Sequence, residues 1–292
     1  MARFAYVNGR FVRHAEATVH IEDRGYQFAD GVYEVVTVLG GEFVDKAGHL
    51  ARLKRSLGEL KIAPPFSDAV LETVMRTLVR RNGVKDGYLY LQITRGVAPR
   101  DFKFPKVSKS AIVMTTRRQP FKPELPSEAG VSVVTVPDIR WARRDIKSIG
   151  LLAQVLAKQA GAEAGAFEAW MVDPQGFVTE GASSNAWILT ADGVLVTRQA
   201  DNAILHGITG NSIEALAAEQ GIKVERRPFT VAEALAAREA FLTSATTFCL
   251  PITQIDGKPV ANGHPGEMSR TLRRAYFEYG KSRQDAPFGW PH

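Results

Sequence analysis

Between residues 119 and 126 the chain carries Pro120, Pro123 and Pro126, and this stretch sets the first limit on what it can fold into. Proline has no backbone N–H and a fixed φ, so such a density excludes a helix and an interior strand. The stretch reads as a linker over residues 120–126. It divides the 292 residues into a smaller N-terminal domain, 1–119, and a larger C-terminal one, 127–292. A chain of this length is expected to bury more than one core.

Both halves mix strand and helix patterns, which predicts an α+β fold. Residues 4–7 and 11–13 flank Asn8-Gly9, a tight hairpin signal, and residues 32–39 and 42–45 flank Gly40-Gly41. Leu50, Leu53, Leu57 and Leu60 recur at helical spacing up to Pro64-Pro65. A second helix over 68–82 carries Val70, Val74, Leu78 and Val79, and strands follow at 88–94 and 111–116. Beyond the linker the pattern predicts a strand at 131–136 and a helix at 150–161 with Leu151, Leu152, Val155 and Leu156 inward. Next come a pair of hairpins over 167–189, helices near 211–220 and 231–237, strands at 241–243 and 252–255, and a closing helix at 268–280. The tail 284–292 is expected to be loose.

Composition narrows the function classes. The 37 basic and 31 acidic residues give +6, but the basic pairs, such as Arg80-Arg81 and Arg226-Arg227, are scattered. A nucleic-acid binder concentrates its charge and interleaves it with aromatics, so no nucleic-acid partner is expected. No run approaches the ~20 apolar residues of a membrane helix. The single cysteine, Cys249, cannot form an internal disulfide, and no secretory pattern opens the chain. These features predict a cytoplasmic protein without a membrane segment, and no metal ligand is assigned.

Several short segments could carry chemistry. Lys147, in Asp145-Ile146-Lys147-Ser148, follows a strand and precedes a helix. A Schiff-base lysine must lose its proton near neutral pH, which needs desolvation or nearby cations, and Arg143 and Arg144 are close in sequence. Taken alone, Lys147 reads as a surface lysine. Glu180 ends a strand in Thr179-Glu180-Gly181-Ala182-Ser183-Ser184-Asn185, where small residues admit a ligand to the backbone. A carboxylate there would accept from a pyridine nitrogen and favour its protonated form, or the segment is an ordinary hairpin turn. Leu205-His206-Gly207-Ile208-Thr209-Gly210 runs into a helix, a grammar for anion binding that a ligand-free capped helix shares. Ser244, Ala245 and Thr246 could add donors or form a polar loop. Arg52 and Arg55 lie off the apolar stripe of their helix, as surface arginines or as a charged fork for phosphate.

Taken in order, Gly25-Tyr26-Gln27-Phe28-Ala29-Asp30-Gly31-Val32-Tyr33-Glu34, His49-Leu50-Ala51-Arg52-Leu53, Asp145-Ile146-Lys147-Ser148, Thr179-Glu180-Gly181 and Gly207-Ile208-Thr209 resemble the signatures of fold-type IV pyridoxal-phosphate enzymes. The D-amino acid aminotransferases are the most similar branch, and the likeness covers nearly the whole chain. It implies an α+β fold of two domains with pyridoxal 5'-phosphate between them, and a homodimer in which a loop of one subunit closes the other's pocket. It implies that Lys147 carries the cofactor and shuttles a proton, and that Glu180 binds the pyridine nitrogen. Arg52, Ile208, Thr209, Ala245 and Thr246 would hold the phosphate, and Leu205 would pack on the ring. Tyr33, Val35, Arg100, Phe102, Ser183 and Ser244 would line the pocket for a small amino donor and a 2-oxo acid.

The chain departs from that branch in one place. In Pro99-Arg100-Asp101-Phe102-Lys103 the family's loop grips the substrate carboxylate with an arginine and, two residues later, a histidine. Arg100 fits, but Phe102 cannot donate, so recognition of D-amino acids is expected to be weaker and broader, with Lys103 a possible substitute donor. The sister activities left open are an (R)-amine transaminase, a branched-chain L-amino acid aminotransferase and an aminodeoxychorismate lyase. A protein that carries the cofactor without turnover is the rival from another class.

Overall fold

The computed structural model describes residues 3–125 and 130–282. Pro126 and the tail 284–292, expected to be linker and loose end, lie outside the described residues. The chain forms two compact units. The first comprises Met1–Phe121 and Ile146–Gly150, and the chain returns to it at Gly280; the second comprises Lys122–Asp145 and Leu151–Tyr279.

The first unit opens with the hairpin of β1 (Phe4–Val7) and β2 (Arg10–Arg13), turned by Asn8 and Gly9, both at positive φ. A short helix α1 (Arg24–Phe28), capped by the Asp23 side chain on the Gly25 amide, leads into β3 (Gly31–Leu39), β4 (Glu42–Phe43), α2 (Lys46–Glu59), α3 (Asp68–Arg81), β5 (Gly87–Thr94) and β6 (Ala111–Arg118). The strands form an antiparallel sheet in the order β2-β1-β6-β5-β3-β4. Val32, Val36 and Val38 pack with Leu53 and Leu57 of α2, Met75 and Leu78 of α3, and Ile146 from the returning segment. On α3 the buried stripe is Leu71, Met75, Leu78 and Val79, whereas Val70, expected on it, is exposed.

The second unit contains β7 (Val131–Pro137), α4 (Leu152–Glu163), β8 (Glu168–Val172), β9 (Val178–Gly181), β10 (Asn185–Leu189), β11 (Leu195–Thr197), α5 (Ile208–Glu219), β12 (Val224–Arg226), α6 (Val231–Ala236), β13 (Glu239–Ser244), β14 (Phe248–Ile255), β15 (Lys258–Pro259) and, up to Tyr279, α7 (Glu267–Ser282). Its nine-stranded sheet runs β12-β11-β10-β13-β14-β7-β8-β9, with β15 on β14. β7 and β8 are parallel, a pairing that requires a crossover connection, and α4 lies within it. The expected pair of hairpins over 167–189 is realised differently: β8 pairs with β9, but β10 pairs with β11 and β13.

Helix α4 corrects the sequence expectation. Leu152, Val155 and Leu156 are 72, 57 and 53% exposed, and the buried positions are Ala157 and Gly161. A Cβ on Gly161 would lie 3.2 Å from the Glu168 backbone. The helix approaches β8 through its small side chains, which turns the large ones outward. Among the described residues no helix is long and apolar enough to cross a membrane.

Candidate active site

In the first unit the site is built on β3 and α2. Side chains alternate across a strand. Val32, Glu34 and Val36 are buried in sequence-alternate positions, whereas Tyr33 and Val35 are half-buried on the other face. Glu34 therefore projects towards α2. There Arg52 donates to it from Nε at 2.8 Å and from Nη2 at 2.7 Å, and His49 Nδ1 lies 2.7 Å from its second oxygen. Burial alone would raise the Glu34 pKa, but the Arg52 charge and the hydrogen bonds from Arg52 and His49 outweigh it and hold the carboxyl at about 2. Arg52 is thus not on a solvated face. It is 5% exposed, on the same face of α2 as His49, Leu53 and Ser56.

The segment carrying Lys147 lies alongside β3. Tyr33 N donates to the Lys147 carbonyl (3.0 Å), Ile149 N to the Gly31 carbonyl (3.1 Å), and the Lys147 amide to Ser56 Oγ (3.2 Å). The Lys147 ammonium nitrogen is 4.3 Å from the centre of the Tyr33 ring. Gly31 is required here, because a Cβ would meet the Ile93 carbonyl at 2.7 Å. Backbone hydrogen bonds on both sides of Lys147 thus fix where its side chain departs.

The loop after β5 is tied to α1. Arg95 and Arg24 both donate to Asp30, and Arg24 Nη1 also donates to the Asp101 carbonyl (2.6 Å). Arg100 stacks over Phe28 (4.9 Å) and Phe102 (5.8 Å), and these two rings are 5.5 Å apart. The position expected to hold a donor therefore holds an aromatic support, 81% exposed.

In the second unit Glu180 stands at the end of β9, 5% exposed. Arg140 Nη1 donates to one oxygen, as does the Leu205 amide (3.1 Å), and Asn185 Nδ2 donates to the other (3.0 Å). Arg140 is itself held by Asp138, through Nη2 at 2.7 Å, and Thr179 Oγ1 donates to the same Asp138 oxygen (2.7 Å). Burial would raise the Asp138 pKa, but the Arg140 hydrogen bonds and charge pull it below the usual range. Arg140 moves the opposite way. Desolvation disfavours its charge, yet Glu180 and Asp138 raise its pKa.

Two further segments reach Asn185, the partner of Glu180, at Gly207 before α5 and at Thr243 of β13. Helix α5 begins at Ile208, earlier than its apolar period indicated, behind Gly207, which supplies no side-chain cap. The first-turn amides of Ile208, Thr209 and Gly210 have no intrahelical carbonyl and can meet an anion. Gly207 cannot be larger, because a Cβ would fall 1.9 Å from Asn185 Oδ1. The turn after β13 is closed on Ser244 Oγ, 2.7 Å from Thr247 Oγ1 and accepting from the Thr247 amide at 3.2 Å; Ala245 and Thr246 lie inside it. It ends in Phe248, whose φ of +60° is strained for a bulky residue. Ser183 is exposed and donates to the buried Glu168 carboxylate (2.7 Å).

Lys147, Arg52, Tyr33, Val35, Arg100 and Phe102 thus fall in the first unit, and Glu180, Leu205, Ile208, Thr209, Ala245, Thr246, Ser183 and Ser244 in the second. Sequence reasoning did not single out Asp138 and Arg140, Asn185 as a ligand of Glu180, or Glu34 as the partner of Arg52. The spacing of Asp138 and Arg140 was the one available signal.

Residues 31–255 match the family described as amino-transferase class IV. The D-alanine aminotransferase of Bacillus licheniformis is 41% identical over 273 residues, spanning 92% of this chain and 94% of that protein. That of Staphylococcus epidermidis is 37% identical over 278 residues, 95% and 98% of the two chains. A solved branched-chain amino acid aminotransferase from Escherichia coli superimposes with a TM-score of 0.89 at 22% identity, over 99% and 98% of the chains, a likeness of fold. With the family matched over most of its length and whole-length relatives well above 30% identity, the chain belongs to the class IV aminotransferases.

Proposed function

We infer that the chain is a pyridoxal 5'-phosphate enzyme that transfers the amino group of a D-alanine-like amino acid to a 2-oxo acid such as 2-oxoglutarate or pyruvate. The observation that carries the cofactor reading is the buried Glu180 carboxylate, paired with Arg140 and oriented by Asn185 and the Leu205 amide. A pyridine nitrogen needs such a group to hold its proton. The capless start of α5 and the Ser244–Thr247 turn suit a phosphate, and Lys147 supplies an amine beside Tyr33. These residues fit the group. The donor is taken from the D-alanine aminotransferases that match the whole chain.

When bound, pyridoxal 5'-phosphate supplies an electron sink for the bond broken at substrate Cα. Lys147 Nζ would hold the cofactor covalently and would serve as the base and acid that moves a proton between substrate Cα and cofactor C4′. Glu180 would keep the ring nitrogen protonated, and Leu205 would pack against the ring. Ile208, Thr209, Ala245 and Thr246, with Arg52, would bind the phosphate, and Tyr33, Val35, Ser183 and Ser244 would shape the pocket.

Arg100 would grip the substrate carboxylate without a second donor at Phe102. The exposed ring beside it favours loose anchoring and some turnover of amines that lack a carboxylate. Phe102→His is expected to lower KM for D-alanine by roughly tenfold, the worth of one charge-assisted hydrogen bond; an unchanged KM removes this account.

A homodimer is part of the proposal, supported by the outward Leu152, Val155 and Leu156 of α4, an apolar face that a second copy would cover. Light scattering on a Leu156→Lys variant would show monomers if α4 forms the contact. The cytoplasm is the proposed compartment, to be checked by fractionation.

The test of the activity is an absorbance spectrum of the purified protein before and after adding D-alanine, L-leucine or (R)-1-phenylethylamine. Loss of the visible cofactor band with D-alanine alone supports the reading, and loss with one of the others alone moves the activity to that donor. No band after the cofactor is supplied, in wild type as in Lys147→Ala, ends it.

A further inference from the structure

Arg24, Arg52 and Arg95 are buried, and each meets a carboxylate: Asp30 for Arg24 and Arg95, Glu34 for Arg52. Arg140 meets Asp138 and Glu180. Arg273 on α7 is buried to the same degree, 6% exposed, and no carboxylate among the described residues pairs with it. Its fork ends on backbone oxygens instead. Nη1 donates to the carbonyls of Thr247 (2.6 Å) and Cys249 (2.9 Å), and Nε and Nη2 donate to that of Lys122 (3.2 and 2.9 Å).

Those carbonyls locate its effect. Thr247 and Cys249 bracket Phe248, the residue at positive φ that ends the Ser244–Thr247 turn, and the guanidinium carbon lies 5.6 Å from the Phe248 ring. Tyr276 and Phe277 of α7 pack on the same ring, with centroids at 5.3 and 6.2 Å. Arg273 thus clamps the backbone on both sides of a strained residue that would otherwise relax towards negative φ. An arginine also remains charged in the interior, and a buried cation without a counter-charge is costly unless an anion is supplied.

We propose that Arg273 is a positioning residue for the cofactor phosphate: it pins the Ser244–Thr247 turn through the carbonyls of Thr247 and Cys249 and sets a buried positive charge behind it, for which the bound phosphate is the counter-anion. Arg273 does not touch the phosphate. The proposal rests on the reading that this turn holds the phosphate, and the experiment separates the two.

The full-length chain freed of cofactor is titrated calorimetrically with inorganic phosphate, and then with pyridoxal 5'-phosphate and with pyridoxal, which lacks the phosphate, by absorbance. In wild type, inorganic phosphate competes with pyridoxal 5'-phosphate; absence of competition removes the phosphate reading and the role of Arg273 with it. Given competition, Arg273→Gln is expected to weaken inorganic phosphate and pyridoxal 5'-phosphate by roughly tenfold, a modest through-space charge effect, and to leave pyridoxal unchanged. Unaltered phosphate affinity, or an equal loss for pyridoxal, overturns the proposal. Arg273→Lys keeps the charge but gives up the fork that spans the carbonyls, and it stays testable if the Gln variant does not fold: a loss of about threefold for inorganic phosphate and pyridoxal 5'-phosphate, smaller than that of the Gln variant, is expected with pyridoxal unchanged, and a loss shared equally by pyridoxal overturns the proposal.

Discussion

Glu34 and Glu180 are both buried carboxylates answered by an arginine, and they do different work because of where their strands put them. Glu34 lies in the middle of β3 and points into the layer between sheet and helices, so its partners come from α2. It joins helix to sheet. Glu180 lies at the end of β9, and its partners come from two loops and the start of a strand: Arg140 after β7, Leu205 before α5, and Asn185 at the start of β10. A charge in mid-strand is enclosed by its own core, whereas a charge at a strand end keeps an approach for a ligand. The first arrangement is expected to show in stability and the second in chemistry.

That contrast is tested most severely by the two neutral replacements. Glu34→Gln leaves Arg52 buried beside an uncharged amide and is expected to cost about 3–5 kcal/mol of stability, measured by urea denaturation. Glu180→Gln leaves Arg140 paired with Asp138. It is expected to change stability by less than about 1.5 kcal/mol while lowering kcat for the D-alanine reaction by on the order of 10²-fold or more. If the two losses are exchanged, the contrast is wrong.

Acid gives a smaller effect with a definite sign. The Glu34 carboxyl is held at about 2 against an ordinary 4.5, so its ionised form stabilises the fold in full above about 4.5, and that contribution is lost as pH falls towards 2. Asp138, also lowered, acts in the same direction. Thermal unfolding between pH 5 and pH 2 should show a steeper decline in wild type than in Glu34→Gln; parallel declines would mean the lowered pKa plays no part. The smallest effect belongs to the exposed pair Lys54 and Asp68, whose side chains are 57 and 54% exposed. Lys54→Ala is expected to change stability by less than about 0.5 kcal/mol, and a larger change would show that exposure is not what separates this pair from Glu34 and Arg52.

Much of this was legible in the sequence for a physical reason. The hairpins at Asn8-Gly9 and Gly40-Gly41 and the helices α2 and α3 are set by local signals, positive φ at the turns and apolar spacing along the helices. The family signatures marked Lys147, Glu180 and the start of α5. What could not be read was pairing across long sequence separations. Arg52 read as a surface arginine or a phosphate fork, and its pairing with Glu34 stayed hidden because Glu34 lies in another element, while Arg140 gave no local sign that Glu180 was its neighbour. Helix α4 misled for a related reason. Its leucines carry an apolar period, but the closest approach to β8 is made by Ala157 and Gly161, and period does not reveal which face is tight.

The path of the chain also bears on how such a protein can be divided. Ile146–Gly150 belongs to the first unit although both flanks belong to the second, and Ile146 is part of the first unit's core. A gene fragment ending at Phe121 would lack the piece that lies along β3, and one starting at Lys122 would carry that piece with nothing native to lie against. Neither half is a self-contained module. A crossover between relatives placed in the proline-rich stretch would pair one parent's β3 with the other parent's lysine segment, so working chimeras are expected only when both come from the same parent.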